Sequence, residues 1–500
     1  MAAHVEVERK YEADRGFSLP DLREIPGLSL AAEARRHSLI ARYFDTPDLR
    51  LARHGVTLRR RTGGTDDGWH LKLPRAKGGR DEVQLPAGDA GDQMPPELGD
   101  LILAYTRGRP LVAVAEVRTD RTERALLGRD GVVLAELADD DVTGIRLEPR
   151  AEGVITWREL EVELVEGNDD LLNSIGDHLM ASGARASKAP NKLSVVVGAQ
   201  AAPEPHPAEL RSIAQVMSAY LGAQAARMVS YDPRVRLADH DDDSVHKMRT
   251  SIRRFRSILR THRKLLDRTA VEPVDAELKW LAGALGEVRD LEVLRARFHT
   301  QLSELPDPPA GPGWLAEMEQ QEGRSRERLR EVLRSQRYLA LLDRVDALVA
   351  DPPVREQARK AARKQGDKIV TRAWRKMVDA RREAGRTDHE DDRNAALHKT
   401  RKAAKRLRYT AEAVEPVFGK PARRIARRAE KVQNLLGDNQ DRIVATQRLQ
   451  QVTLDPGSAS DGYALGALVV LQRCDDPLAD LPKVWRKAAD RKLVKRLAQS

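Results

Sequence analysis

The chain has 500 residues, a single cysteine and a formal net charge of +10, with charged residues at 33% and aromatics at 4%. That length exceeds what one core sustains and calls for at least two domains. The lone Cys474 excludes an internal disulfide framework, and no apolar run approaches the roughly 18–20 residues of a membrane-spanning helix, so a cytoplasmic protein with no membrane and no obligate protein partner is expected. The charge is unevenly placed: residues 1–200 hold 28 Lys+Arg against 34 Asp+Glu, a net of −6, which leaves +16 for residues 201–500. A polyanion partner is therefore expected of the second part.

In chain order, alternating segments read as strands at 5–11, 40–45, 56–62, 68–73, 81–85, 113–124, 132–137 and 156–165, separated by Gly, Pro and Asp clusters. About eight such strands suggest a barrel or sandwich. Residues 20–23 and 169–182 read as helical, the latter with Leu171, Leu172, Ile175 and Leu179 on one face. Residues 199–207 lack periodicity and read as a linker between a domain at 1–198 and one at 208–500. Beyond the linker amphipathic helix prevails, broken at 306–312 and again at 350–353, which divides halves at about 208–349 and 354–500.

Side chains alternate across a strand, so Glu6, Glu8 and Lys10 share one face. Arg59 and Arg61 share another, as do His70 and Lys72, and Glu159, Glu161 and Glu163 form a second acidic row. On a single strand such a face is normally solvated. If the strands close with these faces inward, the lumen carries carboxylates on one wall and cations on another. That interior makes sense around a phosphate chain accompanied by a divalent cation, since paired carboxylates suit a hard metal ion and Lys or Arg suits phosphate oxygens.

The helical part repeats itself. Residues 245–256 align without gaps to 397–408, and each copy is followed by a Leu-Gly pair and an Asp: Leu285-Gly286 with Asp290, then Leu436-Gly437 with Asp441. His246, Arg249, Arg253 and Arg256 form one helical stripe, and His398, Arg401, Lys405 and Arg408 occupy the same offsets in the second copy. A duplicated cationic stripe suits regularly spaced anionic oxygens. Arg423, Arg424, Arg427, Arg428 and Lys431 add further basic residues before the second Leu-Gly pair.

The pentad Glu6-Val7-Glu8-Arg9-Lys10 opens an ordered set: Tyr43-Phe44-Asp45-Thr46, Leu58 to Arg61, Leu71-Lys72-Leu73, Arg80-Asp81-Glu82, Arg118 to Arg121, Asp139-Asp140-Asp141, Glu159 to Leu164 and Ser187-Lys188. This set resembles the CYTH superfamily, the triphosphate tunnel metalloenzymes, over almost all of residues 1–198. The resemblance implies an antiparallel β-barrel tunnel that hydrolyses or cyclises triphosphate-containing substrates with Mg²⁺ or Mn²⁺. Carried over, it makes Glu6, Glu8, Asp140, Glu161 and Glu163 metal ligands, and Lys10, Arg59, Arg61, Lys72, Arg80, Arg121 and Lys188 phosphate contacts. Glu6, Glu8, Lys10, Glu161 and Glu163 form the implied catalytic set. Arg121 fits the pattern better than Arg118, and Glu159 is open between ligand and outer carboxylate.

The repeated helical pattern resembles the CHAD domain over roughly residues 208–500. That implies two pseudo-repeated four-helix bundles binding inorganic polyphosphate in a basic groove between them, through the His246 and His398 stripes. The whole then reads as a multidomain α+β protein that hydrolyses a short phosphate chain, inorganic triphosphate first, and binds polyphosphate, with association with polyphosphate granules expected. A non-catalytic polyphosphate binder, a nucleoside or thiamine triphosphatase and an adenylate cyclase are alternatives. Nucleic acid is disfavoured by the scarcity of aromatics for stacking.

Overall fold

The computed structural model describes residues 4–30, 34–64, 66–75, 79–88, 93–147, 153–198, 209–237, 243–309, 311–386, 389–452 and 459–499. The expected linker at 199–207 lies outside them. The chain divides into two compact units, one of residues 1–205 with 236–239 and one of the remainder.

Among the described residues the first unit is built on eleven strands: β1 (His4–Glu6), β2 (Glu8–Ala13), β3 (Leu28–Leu30), β4 (Arg35–Asp45), β5 (Thr57–Thr62), β6 (Gly68–Pro74), β7 (Arg80–Leu85), β8 (Val112–Gly128), β9 (Val133–Arg146), β10 (Val154–Leu164) and β11 (Arg185–Ala186). They pair in the order β1-β7-β6-β5-β4-β8-β9-β10-β2-β11, with β3 on β8. Each of these pairings is antiparallel. β1 and β2 are one run of chain interrupted at Val7, so both ends of this order meet. Glu6 pairs with Arg80 and Glu8 with Glu163, while the Val7 carbonyl accepts from the Leu164 N–H at 3.0 Å. The sheet thus closes into a barrel whose charged faces can point inward.

Four helices accompany it: α1 (Arg50–Arg53), α2 (Pro96–Thr106), α3 (Asp169–Ala181) and α4 (Lys192–Val197). Leu172, Ile175 and Leu179 of α3 pack on the outer face of β2 and β10, against Tyr11, Leu160 and Val162. A β-carbon at Gly176 would stand 2.1 Å from the Tyr11 hydroxyl, so glycine is what lets α3 lie flush there. In contrast, α4 packs on inward-facing apolar residues: Leu193, Val196 and Val197 meet Ala41, Tyr43, Val117 and Val142. It fills one end of the barrel. Sequence periodicity anticipated α3 but neither α2 nor the six-residue α4, and the helix expected at 20–23 is a single 3₁₀ turn at Leu22–Glu24.

The second unit is helical: α5 (Ile213–Arg236), α6 (Ser244–Thr261), α7 (Arg268–Ser303), α8 (Gly313–Arg334), α9 (Gln336–Ala350), α10 (Ala362–Ala384), α11 (Glu390–Ala413), α12 (Glu415–Phe418), α13 (Lys420–Leu449), α14 (Ala459–Cys474), α15 (Leu481–Ala488) and α16 (Lys492–Gln499). The helices that carry His246 and His398, α6 and α11, pack on each other, α6 also on α7 and α11 also on α10 and α13. Cores cross the divide between the halves. Ile213 and Val216 of α5 join Val370, Leu407 and Leu436, and Leu291 and Phe298 of α7 join Ala445, Leu449 and Leu468. No helix among the described residues is long and apolar enough to cross a membrane.

Candidate functional site: a two-signed tunnel and a cationic helix pair

Cross-strand partners point to the same side of a sheet, so the register assigns the lumen. Glu8 stands beside Glu163 and Glu163 beside Glu136; in the next row Lys10 stands beside Glu161. Across the barrel Arg59 neighbours both Tyr43 and His70, and Lys72 neighbours Glu82. These side chains surround a cavity of about 290 Å³. Its lining holds eight Lys or Arg and eight Asp or Glu among the described residues. A lumen that is balanced overall but segregated by wall suits a polyanion that arrives with its own divalent cation.

The acidic wall falls into two sets. Asp140, Glu159 and Glu161 bring ligand atoms within 4.8 Å of one another. Their charges are already answered: Lys192 Nζ lies 2.9, 2.6 and 2.8 Å from the three carboxylates. Arg121 adds a two-pronged bond to Asp140 at 2.8 and 2.7 Å and a contact to Glu161 at 2.6 Å, and Lys10 also bonds Glu161. Burial raises the Glu161 carboxyl, but Lys10, Lys192 and Arg121 outweigh it and hold the group well below its ordinary range.

Glu6, Glu8 and Glu163 form the second set, in which only Glu163 has no ion pair among the described residues. Glu6 takes Lys72 at 2.5 and 2.6 Å, and Glu8 shares Lys10 at 3.0 Å and Arg80 at 3.5 Å. The Glu163 carboxyl is pushed up to about 7 by burial and then by Glu6, with Glu8 adding to it. Three carboxylates facing one space, one of them driven toward protonation, are the donors a hard divalent cation requires. A metal at either set would share its carboxylates with cations already there, Lys192 and Arg121 at the first and Lys72, Lys10 and Arg80 at the second.

The basic wall keeps unpartnered donor atoms. The Nε atoms of Arg59 and Arg61 are buried and find no hydrogen-bond partner. Burial and then Arg59 and Arg121 push Arg61 down to about 9, although it also meets Asp66. His70 lies 2.8 Å from Glu82, whose carboxyl falls to about 2 because His70, Lys72 and Arg59 outweigh its burial.

Of the residues expected from the sequence, Glu6, Glu8, Lys10, Arg59, Arg61, Lys72, Arg80, Arg121, Glu161 and Glu163 line the cavity together. Asp140 lies behind it, fully buried against Arg121 and Lys192. Glu159 is on the inner face, bonded to Lys192 and to the Trp157 indole at 2.7 Å, and not an outer carboxylate. Arg118 is on the outside, paired with Glu116 at 2.9 Å. Lys188 requires a correction: it is exposed and does not line the cavity, whereas Lys192 does. The chain leaves the sheet after Ala186, so strand alternation no longer applies, and the Asn191 cap on α4 turns Lys192 inward. Arg35, His37, Glu123 and Glu136 also line the cavity and were missed. Arg35 and His37 continue the β4 alternation upstream of residue 40, which was the signal available.

In the helical unit the stripes separate into cations held closely by carboxylates and cations that crowd one another, of which Arg249 also meets Asp290 at 3.7 Å. Arg256 is tied to Asp275 at 2.9 Å, and Arg408 to Glu412 at 2.8 Å and Glu430 at 2.9 Å. These two expected polyphosphate contacts are each held in ion pairs. Arg249, Arg253, Arg401 and Lys405 instead crowd one another across the α6–α11 contact. Lys405 is pushed down to about 6 by burial and then by Arg253, Arg401 and Arg249. Arg401 is lowered by burial and by Arg253, against Asp441, and its buried Nε has no partner. Burial and neighbouring cations lower His246 and His398 as well, so both favour the neutral imidazole. The repeated Leu-Gly pair acquires a reason here. A β-carbon on Gly286 would lie 3.3 Å from Arg249 Nη2, and one on Gly437 would lie 3.3 Å from Arg401 Nη2.

The comparisons agree with this division. The CYTH domain family model matches residues 4–191 and the CHAD domain model residues 219–450. An uncharacterized protein of Mycobacterium tuberculosis is 35% identical over 521 residues, covering 99% of this chain and 97% of that protein. Among solved structures, the CHAD domain from the plant Ricinus communis is 24% identical, with a TM-score of 0.46, over 57% of this chain and 96% of that one. The PH1819 protein from Pyrococcus horikoshii is 14% identical, with a TM-score of 0.24, over 38% of this chain and 96% of that one. The chain belongs to the family in which a CYTH domain is followed by a CHAD domain.

Proposed function

We propose that the tunnel hydrolyses a short phosphate chain, inorganic triphosphate first among the candidates, with Mg²⁺ or Mn²⁺, and that the α6–α11 cluster binds inorganic polyphosphate. The observation that carries the first part is the segregated lumen: Glu163, beside Glu6 and Glu8, has no ion pair among the described residues on one wall, and the buried Nε atoms of Arg59 and Arg61 find no acceptor on the other. Glu6, Glu8 and Glu163 would hold the metal, with Glu161 reachable beside Lys10. A divalent ion there supplies neutralisation of phosphate charge and Lewis-acid polarisation. Arg59, Arg61, Lys72 and Arg80 grip the non-bridging oxygens and hold the chain along the lumen. Arg121, Lys192 and Lys10, fixed by Asp140, Glu159 and Glu161, orient the acidic wall without leaving it. The second part is carried by the crowded set Arg249, Arg253, Arg401 and Lys405, in which Arg249 alone has an ion pair among the described residues, to Asp290 at 3.7 Å. A panel of inorganic triphosphate, ATP and thiamine triphosphate, each with Mg²⁺ and Mn²⁺, tests the first part. Failure to release phosphate from any of them rules out the enzymatic reading.

A further inference from the structure

α15 lies beyond the residues 219–450 that the CHAD model matches, yet it builds one wall of a second cationic groove. The opposite wall is α13. Lys420, Arg424, Arg427 and Lys431 recur at helical spacing along α13, and Lys483 and Lys487 face them from α15 across a cavity of about 680 Å³. Asp480 is the one carboxylate in the described lining, and among the described residues none of these six cations is in an ion pair. Other basic residues nearby serve as structure: Arg423 bonds Glu415 at 2.6 Å, and Arg428 donates to the Lys487 carbonyl at 2.5 Å. α15 is itself anchored. Leu481 and Ala488 sit in the core, and the Trp374 indole donates to the Ala488 carbonyl at 2.9 Å. Two fixed walls therefore hold six like charges facing one space, an arrangement whose self-repulsion an anion relieves.

We infer that the α13–α15 groove is a second, separate site for a linear phosphate chain. The choice of ligand class rests on the polyphosphate reading given above; the site does not depend on the central cluster. Packed helices stand only about 8–10 Å apart, too close to seat a nucleic-acid duplex between them. Single strands need aromatic platforms, and the described lining contains none. A chain with an anionic oxygen at every unit needs only cations in a row.

The full-length protein is acetylated with limiting reagent in the presence and absence of long-chain inorganic polyphosphate, and modification of Lys483 and Lys487 is read by mass spectrometry. The wild type is compared with Arg253→Glu/Lys405→Glu. Protection of both lysines is expected in both proteins. Lys483→Glu/Lys487→Glu is expected to weaken polyphosphate binding about tenfold and to flatten its salt dependence. Equal acetylation with and without polyphosphate in the wild type overturns the proposal. Protection lost in Arg253→Glu/Lys405→Glu also overturns it, because the groove is then an extension of the central cluster. RNA that protects the lysines and resists displacement by polyphosphate overturns the ligand class. If Arg253→Glu/Lys405→Glu leaves polyphosphate affinity unchanged while both lysines stay protected, the reading of the central cluster fails and that of the groove stands.

Discussion

Arg401 lies across the backbone of Gly437, close enough that a β-carbon there would stand 3.3 Å from its guanidinium. Within a helix, alanine is favoured over glycine by roughly 0.5–1 kcal/mol. Gly437→Ala is therefore expected to hold or raise the melting temperature while displacing Arg401 and weakening polyphosphate binding. A destabilised variant with wild-type affinity would show that the glycine serves packing alone.

Arg253 and Arg256 sit one turn apart on α6 with different duties. Arg256 is committed to Asp275 at 2.9 Å, and Asp275 keeps Arg260 at 2.8 Å when Arg256 is removed. Arg253→Ala should weaken polyphosphate binding about tenfold, whereas Arg256→Ala should change it less than about twofold. Calorimetric titration of both variants checks the ranking, and equal losses would refute it.

Lys405 carries a pH dependence whose sign follows from its depressed value of about 6 against an ordinary 10.5. Between those two values the unfolded chain binds a proton that the folded protein does not, so this group makes stability rise with pH across that window. Its penalty is greatest below about 6. An anion beside Lys405 restores the charge, so binding at neutral pH should take up protons and weaken as pH rises. Titration in buffers of different ionisation enthalpy measures the uptake; none at pH 7–8 would contradict the placement of the ligand.

Glu161 and Glu163 should respond oppositely to neutralisation. Glu161→Gln leaves Lys10, Lys192 and Arg121 short of a buried partner, which costs about 3–5 kcal/mol. Glu163→Gln removes a carboxylate repelled by Glu6 and Glu8, and is expected to raise the melting temperature in chelator. It should also blunt the further rise that Mg²⁺ or Mn²⁺ gives the wild type. Thermal unfolding with and without metal tests both, and a destabilised Glu163→Gln in chelator would count against the metal assignment.

The sequence made the inward rows legible because strand alternation has a period of two and repeats in every strand. Glu6 and Glu8, Arg59 and Arg61, and Glu161 and Glu163 were each placed on one face by that rule; that the faces point inward required the strands to close. It could not place Lys192, which reaches the lumen from a helix capped by Asn191. Nor could helical spacing tell Arg253 from Arg256, since it fixes which side chains share a face but not which carboxylates the neighbouring helix presents. Asp275, on α7, decides that, as Glu430, on α13, does for Arg408. The family resemblance carried Lys188 onto a stretch where the chain had already left the sheet.

The break at Val7 has a consequence for assembly. The strand that joins β7 to β10 is made early, yet its partners Arg80 and Glu163 lie far along the chain, so the seam can form only once most of the domain exists. Such distant pairing is slow. Until it is made, β7 and β10 are open edges able to recruit a strand from another molecule. Loss of the first strand should therefore yield self-association, which sedimentation would detect even if every other strand kept its partners.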